Sequence, residues 1–267
     1  MARLETIAAR LAAAGADLRT APPIPPAALR TLHEPVYVDA VVNGAEPLAS
    51  SSHLRWTASL RDACLHMLGG QLAAATAARV HGSAFNIACG FHHALPGRGG
   101  GFCTFNGFAL VAQHFPAWRI AVLDCDEHGG DGTEAFCALL PNLRQVSVFG
   151  TRFGIRGGLR SRALPVPRGE DVDTDRAYLQ VLDQALDELL SDPPDLLLYQ
   201  AGMDSHRDDP KSTLRLSAQT LAARDHRVFS FARRAGIAVL AVPGGAYQDS
   251  RSVAELYVST WRAACDA

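Results

Sequence analysis

Apolar positions along this chain follow two regimes. In the first third they recur at helical spacing. Residues 2–14 read as an amphipathic helix that Gly15 can stop. Residues 18–20 form a short edge-strand candidate, followed by the breaker P-P-I-P-P at 22–26. Pro26 and Pro35 stand where helices begin and open short helices over 27–32 and 36–42. After a polar loop, residues 57–80 read as one long alanine-rich helix, in which Gly69-Gly70 marks a kink or a close helix approach. From Gly82 onward short apolar runs at 84–88, 120–123, 146–149, 196–199 and 237–242 alternate with helical stretches. Those helices are predicted over 105–114, 132–139, 175–190, 218–234 and 251–264. Such alternation predicts an α/β fold, a three-layer αβα sandwich around a mostly parallel sheet. No internal repeat or low-complexity linker interrupts residues 1–267, so a single domain is expected.

The unusual polar residues sit where these runs end. The stretch I-A-V-L-D-C-D-E-H-G-G-D-G-T (120–133) passes abruptly from a buried-strand pattern to Asp124, Asp126 and His128 among glycines. On a strand, residues two apart share a face, so Asp126 and His128 can reach one point. A carboxylate oxygen and an imidazole nitrogen there make two of the three protein ligands of a catalytic zinc site. Taken alone, the same stretch also reads as a glycine-rich turn. Asp204, past the run 196–199, supplies a third ligand, although in isolation it reads as a solvated carboxylate or a helix cap. His92-His93 follow the first run without H-E-x-x-H spacing, which points to proton handling rather than a metalloprotease helix. Asp124 and Asp131 can each accept a hydrogen bond from one imidazole, fixing its tautomer. Tyr247 ends a Gly-Gly-Ala turn after the last run and can offer its hydroxyl to an oxyanion. In open parallel sheets ligands bind outside the carboxyl ends of the strands, and four of these clusters lie at four such ends.

Composition narrows the class. The formal net charge of −2 lacks the basic footprint of a nucleic-acid binder, so no direct nucleic-acid partner is expected. No apolar run approaches the roughly 18 residues of a membrane span, and the start of the chain lacks the apolar core of a signal peptide. The six cysteines show no C-x-x-C spacing and suit a reduced, cytoplasmic setting. Arg152, Arg156, Arg160, Arg162 and Arg168 crowd one loop, which reads as a solvated face.

With those residues in place, the chain resembles the zinc-dependent histone deacetylase family, within the arginase–deacetylase fold. Four stretches carry the resemblance: C-G-F-H-H-A-L-P-G-R-G-G-G-F-C-T-F-N (89–106), L-D-C-D-E-H-G-G-D-G-T (123–133), Q-A-G-M-D-S-H-R-D-D-P (200–210) and P-G-G-A-Y (243–247). The R-G-G-G-F-C segment looks most like the class IV branch and its bacterial relatives. The resemblance implies that Asp126, His128 and Asp204 hold Zn2+. It casts His92 and His93 as the electrostatic and acid–base histidines, Asp124 and Asp131 as their partners, and Tyr247 as the group that polarises the substrate carbonyl. It further implies a structural potassium ion (K+) at Asp124 and Ser147, and an acyl-channel wall at Gly101 and Phe102. The substrate implied is an acylated amine, of acetyl-lysine type, with longer acyl-lysines and acetylated polyamines as variants.

Three departures qualify the resemblance. Gly129 replaces a bulkier residue after the metal histidine, which is expected to loosen its surroundings. Ala246 replaces a glycine before the tyrosine, and its Cβ strains the turn if that position needs a positive φ. The family's first strand and loop are expected to be missing ahead of the first helix, which would leave the 18–20 strand short of a neighbour and the pocket rim either open or covered by a second subunit of a homo-oligomer. Two other readings stay open: a dimetal ureohydrolase, and a zinc-retaining module that binds acyl amines without turnover. The aspartate-rich ligand set also suits iron(II).

Overall fold

The computed structural model describes residues 2–267. Six strands form one sheet: β1 (Ser83–Phe85), β2 (Ile120–Asp124), β3 (Leu143–Phe149), β4 (Ser161–Pro165), β5 (Leu196–Ala201) and β6 (Ala238–Pro243). Their spatial order is β1-β6-β5-β2-β3-β4, and every pairing is parallel. The helices are α1 (Ala2–Ala13), α2 (Pro35–Asn43), α3 (Ala58–His81), α4 (Gly107–His114), α5 (Asp131–Leu139), α6 (Thr174–Ser191), α7 (Ala218–Ala235) and α8 (Ser250–Asp266).

Helices cover both faces, which explains why the central strands β2 and β5 are buried at every position rather than alternately. Strand alternation then divides β2 between two cores. Ala121 and Leu123 pack with α1, α6, α7 and α8, through Leu11, Leu182, Phe229 and Tyr257 among others. Ile120 and Val122 pack on the opposite face with α2, α3, α4 and α5, through Val38, Leu68, Phe108 and Phe136. Helix starts carry the caps their sequence offers. Thr57, Asn106, Asp173, Ser217 and Asp249 each accept a backbone N–H of the first turn.

Several expectations need correction. Residues 18–20 are not paired to the sheet: β1 bonds only to β6, and the proline run that follows lacks the N–H donors a strand would use. The short helix expected over 27–32 is a single 3-10 turn, Pro26–Leu29. α3 runs unbroken through Gly69-Gly70, and what approaches Gly69 is the proline-rich segment rather than another helix. A Cβ on Gly69 would lie 2.0 Å from the Pro22 carbonyl oxygen, so the glycine lets the proline-rich segment lie directly on the helix.

The arginine-rich loop is also more than a solvated face, because it contains β4, the sheet edge that the sequence pattern did not reveal. Arg160 donates from Nε to the Cys137 carbonyl at 3.0 Å, in the last turn of α5, where a cation complements the helix dipole. Arg162 pairs with Glu188.

Because all strands run the same way, the carboxyl ends of β2, β5 and β6 lie side by side. In register, Asp124 sits beside Gln200, and Ala201 beside Pro243. The polar loops therefore leave the sheet from one edge.

Candidate active site

Asp126, His128 and Asp204 meet beyond the ends of β2 and β5. One ligand atom from each lies within 4.8 Å of the others. The backbone sets this geometry. Asp126 N–H donates to Asp124 Oδ1 at 3.1 Å, His128 N–H to Asp126 Oδ1 at 3.0 Å, and Glu127 N–H to Asp204 Oδ1 at 2.9 Å. Gly245 N–H reaches Asp126 Oδ2, an approach that no side chain at 245 would permit: a Cβ there would lie 2.0 Å from Asp204 Oδ2. His128 turns Nδ1 toward both carboxylates, 3.3 Å from Asp126 Oδ1 and 3.1 Å from Asp204 Oδ2.

The electrostatics suit a cation. Asp126 and Asp204 are almost wholly buried. Burial, and then the neighbouring Asp126 charge, push the Asp204 carboxyl up. Burial opposes ionisation of Asp126 too, but His92, His128 and the Gly245 N–H hold it low. Burial disfavours a charged His128, yet hydrogen bonds and charge from the two aspartates raise it to about 10. Two desolvated carboxylates at one point resist joint ionisation unless a positive charge joins them. A divalent ion is the partner that this donor set fits.

The histidine pair lines the same cavity, of about 220 Å³, together with Gly101, Phe102, Asp126, Gly245 and Tyr247. A larger groove of about 530 Å³ between α6 and α7 shares none of these residues. His92 Nδ1 bonds to Asp124 Oδ2 at 2.7 Å, and His93 Nδ1 to Asp131 Oδ1 at 2.7 Å, so each imidazole has its own carboxylate. His92 Nε2 lies 3.9 Å from Asp126 Oδ1. Their environments differ in sign. Burial disfavours charge on His92, but Asp124 and Asp126 outweigh it and raise the ring to about 10. Burial and the adjacent His92 charge lower His93 to about 4. One ring is held charged, the other neutral.

Gly101 and Phe102 flank the histidines. A Cβ on Gly101 would meet His93 Cδ2 at 2.3 Å, so glycine lets the loop close over the ring. Phe102, at φ 66°, is 43% exposed, and its ring lies 6.1 Å from that of Tyr247. Burial, then Asp126 and Asp204, raise the Tyr247 phenol, which keeps it protonated. Asp124 and Ser147 are register partners on β2 and β3, and Ser147 Oγ is buried without a hydrogen-bond partner. An orphaned hydroxyl beside a buried carboxylate fits a monovalent cation such as potassium.

Both substitutions expected to weaken the site are accommodated. Ile155, fully buried, occupies the space a side chain at 129 would need, with Cγ2 2.2 Å from a Cβ built there. Ala246 has no positive φ, so its Cβ costs no backbone strain.

Sequence reasoning missed three residues. Phe153 packs against His93 with the rings tilted by 43° and 4.1 Å between centroids, and meets His128 edge-on at 5.7 Å. Its only sequence signal was an aromatic within the arginine-rich loop. Arg224 on α7 is fully buried and donates to the carbonyls of Gly202 at 2.6 Å and Cys125 at 3.5 Å, bracing the segments that carry Asp126 and Asp204. His33 presents Nδ1 to the carbonyls of Leu95 and Pro96 while Nε2 accepts the Asn106 N–H at 3.1 Å. It thereby fastens the far end of the histidine loop to the start of α4.

An all-parallel α/β sheet with a carboxylate–imidazole cluster and two carboxylate-backed histidines at one edge defines a scaffold of the deacetylase/arginase type. Within that class the chain belongs to the histone deacetylase domain family, which matches residues 1–264. It is 37% identical over 227 residues to an uncharacterised protein of Picosynechococcus sp., covering 82% of this chain and 75% of that one. It is 31% identical to histone deacetylase 2 of Arabidopsis thaliana, over 68% of this chain and 49% of the relative. It is also 33% identical to an acetylpolyamine amidohydrolase of Burkholderia pseudomallei, over 51% and 44%. The chain thus matches about half the length of these last two relatives. The fold is shared with the crystal structure of a B. pseudomallei acetylpolyamine aminohydrolase, at TM-score 0.82 and 23% identity over 98% of this chain and 89% of that one. It is shared likewise with the HD domain of HDA15, at 0.80 and 22%, over 99% and 81%.

Two outcomes are expected. Metal analysis of the purified chain gives about one divalent ion, and Asp204→Ala abolishes it; two ions per chain would contradict a single-cation cluster. His33 has its ring lowered from 6.5 to about 4 by burial, against two opposing backbone hydrogen bonds. Its stabilising contribution is therefore complete above pH 6.5 and is lost as pH falls toward 4. In urea titrations below neutrality, stability should fall by up to about 1.4 kcal/mol more per pH unit in the parent than in His33→Gln. Equal slopes would remove His33 from the account.

Proposed function

We propose that this chain is a zinc-dependent amidohydrolase that removes an acyl group from an acylated amine. The observation that carries the reading is convergence. Asp126, which clusters with His128 and Asp204, lines the same cavity as His92 and His93, whose Nδ1 atoms are bonded to Asp124 and Asp131, in a chain of this family. The named relatives include an acetylpolyamine amidohydrolase and a histone deacetylase, which supports an acetylated amine or acyl-lysine as the substrate class.

Asp126, His128 and Asp204 would hold the ion. When bound it supplies Lewis acidity, polarising a carbonyl and making water acidic near neutral pH. The protein's own groups do the rest. Neutral His93, with its Nδ1–H fixed on Asp131, accepts a proton at Nε2 as the water oxygen attacks the acyl carbon. The same proton goes to the amine nitrogen as the C–N bond breaks, leaving a carboxylate and a free amine. Charged His92, anchored on Asp124, stabilises negative charge developing beside Asp126. Tyr247 stays protonated and donates to the oxyanion. Phe102 lines the cavity beside Tyr247, and Phe153 packs against the His93 ring. Asp124 and Ser147 would hold a potassium ion that keeps the β2 end in place. A single cluster of this kind among the described residues supports one ion rather than the ureohydrolase pair.

Tyr247→Phe should lower turnover of an acetyl-lysine peptide by about 10²–10³-fold with metal content unchanged. Undiminished turnover would take the phenol out of the mechanism. His93→Ala should abolish hydrolysis while the ion stays bound, and co-loss of the metal would mean that a ligand had been mistaken for a base.

A further inference from the structure

All six cysteines are free thiols, and two of them, Cys89 and Cys103, line the cavity that holds the histidine pair. Cys64, Cys125 and Cys137 are buried and Cys265 is exposed, and none of these lines it. The two cavity thiols bracket the histidines. Residues 89–103 run from one sulfur, through His92 and His93, to the other.

Both ends of that segment are pinned. Phe91 N–H donates to the Cys89 sulfur at 3.3 Å, and Gln71 Nε2 donates to the Cys89 carbonyl at 2.6 Å. Cys103 exchanges backbone hydrogen bonds with Gly100 at 3.0 and 2.7 Å, and its thiol donates to the Gly101 carbonyl at 3.5 Å. Held in this way, the Cys103 thiol comes within hydrogen-bonding reach of the Cys89 sulfur. The two are chemically unequal. That hydrogen bond, opposed by burial and helped by the His92 charge, lowers the Cys89 thiol from its ordinary value. Burial, and then Cys89 itself, hold the Cys103 thiol well above it. A half-buried, thiolate-prone sulfur beside a second thiol has the two parts of a reversible oxidation site, one that reacts and one that resolves.

We propose that Cys89 and Cys103 form an oxidant-responsive dithiol: a peroxide entering the cavity joins them in a disulfide, and that bond stops hydrolysis until a thiol reduces it. The Cys89 sulfur attacks one peroxide oxygen and the O–O bond breaks. Cys89 becomes a sulfenic acid, and the departing hydroxide takes the thiol proton and leaves as water. The Cys103 sulfur then attacks the Cys89 sulfur, the S–O bond breaks, and the hydroxyl leaves with the Cys103 proton as a second water. Two thiols are oxidised and one peroxide is reduced.

Inhibition follows from packing. A disulfide brings its sulfurs to about 2 Å, closer by an ångström or more than two hydrogen-bonded thiols. Drawing Cys103 toward Cys89 moves the turn that holds Gly101. A Cβ on Gly101 would already lie 2.3 Å from His93 Cδ2, so the ring has no slack on that side. Misplacing a reacting group by about 1 Å costs on the order of 10²-fold in rate. The loss of rate rests on the deacylase reading above, whereas formation of the bond does not.

The test exposes zinc-loaded Cys265→Ser protein, which lacks the exposed thiol, to hydrogen peroxide. Hydrolysis of an acetyl-lysine peptide is then measured before and after dithiothreitol, with intact mass, peptide mapping and metal content on the same samples. The expected result is a loss of about 2 Da, a cross-link between residues 89 and 103, and a rate lowered at least about tenfold with metal retained. Dithiothreitol should restore the rate. Cys89→Ser and Cys103→Ser, each compared with its own untreated rate, should lose this reversible phase. No cross-link, a cross-link that leaves the rate unchanged, or reversible inactivation that persists in both serine variants would overturn the switch and leave the deacylase reading standing. If the untreated protein releases no amine, the deacylase reading falls and the switch with it, while the mass and the peptide map still decide whether the pair oxidises.

Discussion

Two carboxylates without solvent around them repel each other, and this fold holds Asp126 and Asp204 against a common imidazole all the same. Backbone N–H groups from Glu127, His128 and Gly245 offset part of the charge, yet Asp204 still resists ionisation. Such an arrangement is costly in a folded chain unless a cation completes it. Much of the nearby structure serves that crowding. Gly245 admits the close approach of its turn, and Arg224 gathers the carbonyls of Cys125 and Gly202 from beneath. Arg224 is itself neutralised by Asp225, which also accepts the Tyr199 and Thr260 hydroxyls at 2.5 and 2.6 Å. The buried charge is spread through a network anchored on β5, α7 and α8.

The same field divides the labour of two adjacent, nearly identical side chains. His92 lies close enough to Asp126 to share its negative charge, whereas His93 has the charged His92 as its neighbour and Phe153 packed at a tilt against its ring. Each has a carboxylate on Nδ1, but Asp124 together with Asp126 outweighs burial at His92, whereas Asp131 does not outweigh burial and the His92 charge at His93. Pairs of titratable groups pushed in opposite directions mark acid–base assignments in many sites. Here one sheet edge produces that separation over a single peptide bond.

Further out, Asp209 shows how the interior and the mouth are coupled. Its carboxylate is buried, but both amides it accepts belong to residues at the rim, Lys211 and Tyr247. The D-D-P segment therefore fixes the tyrosine and the outer cation together, while Phe102, held at a positive φ, completes the aromatic wall.

By itself the sequence determined the periodic framework and the chemistry-bearing motifs. Strand–helix alternation after Gly82 implied a parallel sheet covered on both faces, and polar residues at the ends of apolar runs implied a site along one edge. These features were legible because they are local: strand pattern, glycine turns and ligand spacing are written in contiguous residues. Only tertiary structure decided the remainder. Residues 18–20 stayed off the sheet and β4 formed inside an arginine-rich loop, since pairing depends on which edge is free. That Ile155 fills the space beside Gly129, that Arg224 braces two loops from another helix, and that Lys211 reaches the aromatic rim are contacts between segments distant in the chain. Such contacts arise from packing, and no local pattern records which side chains packing will bring together.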